Sequence, residues 1–125
     1  MSSLTLAVLA LTIVVLLGSA LAIQMMRRPG RPPSAVLAWL HGIAALIGYA
    51  ALIEALVTGP PRGAATGTQS FGLAAAILLL VAALIGILSL VLHYRRKRMP
   101  GVAIVIHASV AVFGYVILAV YLLAG

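Results

Sequence analysis

Four long apolar runs, over residues 4–26, 34–57, 71–94 and 101–123, alternate with three short polar stretches. Each run is long enough to cross a hydrocarbon core of about 30 Å as an α-helix rising about 1.5 Å per residue. The pattern predicts an all-α, integral membrane four-helix bundle in a single domain spanning residues 1–125. The connecting stretches carry the breakers that such a fold needs. Residues 27–33, RRPGRPP, hold three prolines and a glycine and form a tight loop, after which Ser34 is a natural N-cap. Residues 58–70, TGPPRGAATGTQS, are glycine- and proline-rich and polar, as an exposed loop is. Residues 95–100, RRKRMP, form the last loop. The first run is a retained helix and not a signal peptide, because no lysine or arginine precedes it and Arg27 and Arg28 follow it.

Composition agrees with a lipid solvent. Of the 125 residues, 65% are hydrophobic and 7% charged, more apolar surface than a soluble fold of this size can hide. The net charge of +7 would suggest nucleic acid in a soluble protein. Here the charges sit in loops beside apolar runs, so they mark topology and contact with anionic lipid, and no nucleic-acid partner is expected. Three basic residues fall in the first loop, one in the second and four in the third. The positive-inside rule therefore puts the first and third loops in the cytoplasm and both termini outside, as in a protein of a bacterial inner membrane. The absence of cysteine excludes disulfides, thiol catalysis, cysteine-ligated iron–sulfur clusters and thiolate zinc sites. Nothing resembles a phosphate loop, a nucleophile with its base, or a carboxylate metal site, so no catalytic residue is assigned.

The two halves, residues 1–57 and 71–123, repeat one another as parallel helical hairpins. Arg27-Arg28 align with Arg95-Arg96 and Gly18 with Gly86 at an offset of 68. Beyond the loops, His41, Gly48 and Tyr49 align with His107, Gly114 and Tyr115 at an offset of 66, so the second basic loop is shorter by two. The shared motif is His, six residues, Gly-Tyr: HGIAALIGY and HASVAVFGY.

A histidine inside a membrane span is costly to bury and marks function by default. Residues four and seven apart share a helix face, so His41, Ala45 and Gly48 form one stripe and His107, Ala111 and Gly114 its copy. One reading of the stripes is close helix packing, supported by the small pairs Ala38/Gly42, Ala44/Gly48, Gly18/Ala22 and Ala82/Gly86. The sharper reading is a lane for a flat ligand held by the histidines. A b-type haem needs neutral imidazoles, apolar walls and cations beside its propionates. His41 and His107 lie on the order of 10 Å from the cytoplasmic boundary. The two stripes are expected to face each other across the repeat axis, with Arg27, Arg28, Arg95 and Arg96 near the propionates and Arg31 and Arg98 as substitutes. Proton relays and interhelical hydrogen bonds are the competing uses of such histidines. His93 reads as an interfacial histidine, with a role as ligand or proton entry point as its runner-up. Tyr49 and Tyr115 read as packing residues with a hydroxyl to satisfy. Trp39, Tyr94 and Tyr121 fit interfacial belts, and Glu54, near the outer end of its helix, reads as snorkelling or capping the loop.

Four apolar helices with histidines on two of them, below a basic cytoplasmic edge, resemble the membrane-bound b-type cytochromes. In that family paired histidines ligate haem within a four-helix bundle, which implies that His41 and His107 are axial ligands to the haem iron. Two axial histidines leave no open iron position, so the implied role is electron transfer and not oxygen chemistry. The transmembrane electron carriers of the family have two histidine pairs, whereas this chain has one full pair, on the cytoplasmic side. The resemblance therefore implies transfer within one leaflet, with quinone or a partner redox subunit, and at most an electron-transfer subunit of an oxidoreductase. A homodimer or a larger complex is the expected setting. The four-helix multidrug exporters are similar in size but depend on a first-helix glutamate, which is missing here. The second class of function is a non-catalytic accessory or scaffold subunit of a larger membrane complex.

The topology gives the first test. A reporter active only in the cytoplasm should stay silent at both termini, and a signal from either end overturns the orientation.

Overall fold

The computed structural model describes residues 1–96 and 101–124. Among them the chain forms four α-helices: α1 (Ser3–Arg27), α2 (Ala35–Thr58), α3 (Phe71–Arg96) and α4 (Gly101–Leu123). All four are long and apolar enough to cross a membrane. Hydrocarbon offers no partner for a stray polar group, and three hydroxyls of these helices find theirs within their own helix. The hydroxyls of Thr12, Ser19 and Ser89 donate to the carbonyls of Val8, Val15 and Ile85, each four residues back.

The helix ends follow from local chemistry. Ser2 caps α1, its side chain accepting from Thr5 N at 3.1 Å. The turn after α1 uses Gly30 at φ +80°, where a side chain would be strained. Gln24 closes this loop from inside, its Oε1 accepting from Ser34 N at 3.0 Å. Ser34 in turn caps α2 by accepting from Leu37 N, the role its sequence position predicts. α2 stops at Gly59, just before Pro60 and Pro61. The following loop turns at Gly63 and Gly67, both at positive φ, and is tied by Thr68 N donating to Gly63 O at 3.0 Å. Of the third loop expected at residues 95–100, Arg95 and Arg96 continue α3, while Lys97, Arg98, Met99 and Pro100 lie outside the described residues.

The chain divides into two compact units, Met1–Gly59 and Pro60–Gly125, which contain the two sequence repeats. α1 packs on α2 in the first and α3 on α4 in the second, so each unit is a helical hairpin. The first hairpin buries Leu4, Ala7, Ala10 and Leu11 of α1 against Gly48, Ala51 and Leu52 of α2. The second buries Ala75, Ala76, Ala82 and Ser89 of α3 with Gly114, Leu118 and Tyr121 of α4. The correspondence extends to single positions. Ala7 and Ala75 have no accessible surface, nor do Leu52 and Leu118, the largest side chains fully enclosed. Small residues dominate these faces because lipid gives no hydrophobic drive between helices, and attraction comes from close van der Waals approach.

Trp39 and Tyr94 are exposed, as members of an interfacial belt are, whereas Tyr121 is 8% exposed and belongs to the core. It shares the α4 face of Gly114 and Leu118, at spacings of seven and three, and that face meets α3. Glu54 is exposed one turn before the end of α2. Of the small pairs, Ala38/Gly42 does not join the hairpin interface, since nothing lies within 4 Å of a Cβ built at Gly42.

A Cβ on Gly48 would stand 2.9 Å from Leu11 Cγ and 3.2 Å from Ala10 Cβ. Gly48→Val should therefore destabilise the first hairpin by about 1–3 kcal/mol through overpacking. Gly42→Ala should leave the thermal midpoint in detergent unchanged or raised.

Candidate functional site

His41 and His107 each lie six positions after the first residue of their helix, Ala35 or Gly101, which is about 9 Å along the axis. Each points at the other helix of its own hairpin. His41 Nδ1 donates to the Val14 carbonyl at 3.0 Å, and His107 Nδ1 donates to the Ala82 carbonyl at 2.7 Å. A carbonyl oxygen only accepts, so the ring nitrogen carries the hydrogen in both bonds. Val14 and Ala82 align at the same offset of 68 that relates Gly18 to Gly86. The two bonds are therefore the same bond made twice.

Those glycines stand directly beneath the imidazoles. A Cβ on Gly18 would lie 3.1 Å from His41 Cε1 and 3.4 Å from Nδ1, and one on Gly86 would lie 2.9 and 3.1 Å from the same atoms of His107. In an α-helix the carbonyl of residue 14 also accepts from the N–H of residue 18, and that of residue 82 from residue 86. The histidine thus adds a second donor to a carbonyl already in its helix ladder.

The rest of each stripe faces the same way. Gly48 packs on Leu11 and Ala10, and a Cβ on Gly114 would come within 3.1 Å of Leu78 Cβ and 3.2 Å of Leu79 Cγ. Ala45 and Ala111, between histidine and glycine, are half-buried. The space expected beside Gly48 and Gly114 for a flat ligand is taken up within each hairpin by leucine. The physical reason is that the missing Cβ lets the partner helix close in. The sequence stripe holds as a face, and the face serves hairpin closure.

Arg27 ends α1, Arg28 is its C-cap, and both are exposed, as are Arg31 and Arg95. Arg96 is the last residue of α3, and Arg98 lies outside the described residues. His93 is half-buried near the end of α3, its ring 5.8 Å from that of Tyr94, and its Nδ1 is buried with no hydrogen-bond partner. No group of three histidine or carboxylate side chains placed to hold a metal ion occurs among the described residues.

The donor chemistry at His41 and His107 suits ligation. With Nδ1 carrying the hydrogen, the lone pair of the neutral ring resides on Nε2. Metal-bound histidines are commonly held this way, the other ring N–H given to a carbonyl that fixes tautomer and ring orientation. Sequence reading identified the histidines and the repeat but not the acceptors, which are backbone atoms without a side-chain signature. The available signal was the pairing of Gly18 with Gly86.

As interhelical bonds, the two contacts contribute to hairpin stability in their own right. His107→Leu should lower the stability of the second hairpin by about 0.6 kcal/mol, with a ceiling of about 1.7, the range measured for such bonds in membranes. A thermal or denaturant melt in detergent reads this out, and the same change at His93 should cost less.

No protein-family model, no curated protein and no solved structure matches the chain.

Proposed function

We propose that the chain is a membrane haem b-binding protein acting in electron transfer, alone or as a redox subunit, with His41 and His107 as axial ligands. The observation that supports this reading is the pair of Nδ1–carbonyl bonds, which orients an imidazole in each hairpin and assigns its lone pair to Nε2. Bound by such nitrogens, a b-type haem supplies a one-electron couple within the apolar phase.

The chain's own residues then divide the work. His41 and His107 ligate and hold the ring planes. Ala45 and Ala111 are the small side chains beside them. Gly48 and Gly114 keep the hairpins closed and the imidazoles in register. Arg27, Arg28 and Arg95, exposed at the ends of α1 and α3, together with Arg96, supply positive charge for propionates at the cytoplasmic edge. With both histidines in one leaflet and both termini outside, electrons enter and leave on the cytoplasmic side, through quinone or a partner redox subunit. The chain works alone, as a homodimer or within a larger complex.

A second reading has its own observation. The same two bonds are complete as pins between helices, and this favours a non-catalytic accessory or scaffold subunit.

The visible spectrum separates the two. Protein produced with ample haem should show a Soret band with the low-spin signature of histidine ligation. His41→Ala and His107→Ala should each abolish haem retention, and His93→Ala should leave most of it. No Soret band in the unaltered protein, or an unchanged spectrum in both single variants, excludes the haem reading in favour of the scaffold.

A further inference from the structure

We infer that Gly18 and Gly86 are positioning residues. Each opens the helix surface so that an imidazole reaches the carbonyl four residues earlier, and the contact selects the Nδ1–H tautomer of His41 and His107. This deepens the haem reading and rests on it for its purpose, but the latch itself is a property of the protein without any ligand.

On an α-helix the side chain of residue i+4 lies over the carbonyl of residue i, because Cβ vectors tilt toward the N-terminus. A side chain at position 18 or 86 therefore covers the carbonyl of Val14 or Ala82. The separation from a built Cβ to the imidazole is 2.9 Å at Gly86, closer than real Cβ contacts come, and 3.1 Å at Gly18, tighter than most of them. Alanine at position 86 must push the ring away from the acceptor, and at position 18 the ring must give by a few tenths of an ångström. The obstructing neighbour is a stiff aromatic ring, not the end of a flexible chain.

The bond does more than join helices. A carbonyl accepts only from a protonated nitrogen, so the latch discriminates between the two neutral tautomers and settles where the lone pair resides. It also sets the ring's rotation, which preorganises Nε2 for ligation. The two latches are unequal: the second is shorter, 2.7 against 3.0 Å.

Nuclear magnetic resonance of protein labelled with ¹⁵N-histidine, reconstituted in lipid nanodiscs without haem, tests this directly. Both residues should show the Nδ1–H tautomer with a hydrogen-bonded proton. Gly18→Ala should remove the signature from His41 alone, and Gly86→Ala from His107 alone, with helix content unchanged by circular dichroism. An Nε2–H tautomer at either residue in the unaltered protein overturns the inference without any variant having to fold. So do alanine variants with unchanged histidine shifts. If the latch signals appear and no Soret band forms on adding haem, the latch stands and the haem reading fails. In haem-loaded protein, the alanine variants should shift the reduction potential upward.

Discussion

A backbone carbonyl inside a lipid-facing helix has nowhere to turn for a second hydrogen bond except to another part of the protein. At Val14 and Ala82 that second bond comes from a histidine on the next helix, and much of each hairpin is arranged around permitting it. Glycine sits one turn further along to expose the oxygen. A second glycine, two turns beyond the histidine, lets the helices approach closely enough for the ring to span the gap. Alanines and leucines fill what remains. Without a hydrophobic drive between helices, one directional bond and a set of short van der Waals contacts specify which faces meet.

The helices themselves were legible in the sequence almost to the residue. Apolar length in a lipid solvent is a one-dimensional property, and prolines, glycines and Ser34 punctuate it. The hairpin repeat was legible too, since Gly18, His41 and Gly48 recur in order. What the stripes face was not. Helix periodicity places His41, Ala45 and Gly48 on one side of α2 but says nothing about which neighbour that side meets. Here the neighbour is α1, and glycines expected to leave a gap instead draw leucines in. Tyr121 was misplaced for a related reason: an aromatic near a helix end suits the interface in sequence, yet its face is the one that packs.

The acceptors were hidden more deeply. Position 14 is valine and position 82 alanine, and neither side chain takes part. Because the acceptor is main chain, its side chain differs between the two repeats, valine in one and alanine in the other, while the histidine and the glycine one turn on recur. A constellation sought by side-chain chemistry alone would contain two isolated histidines. Placed on the fold, the same histidines each belong to a three-residue unit.

The connection is two residues shorter in the second hairpin, 25 positions from Ala82 to His107 against 27 from Val14 to His41, yet the helices meet at equivalent positions. Register is therefore dictated by the faces that lock and not by the tether joining them. A tether relieved of that duty is free to lengthen, shorten or carry cargo. The two basic turns of this protein are accordingly the points at which a soluble module could be spliced in, or the chain cut and its ends rejoined elsewhere, with both hairpins still finding their grip.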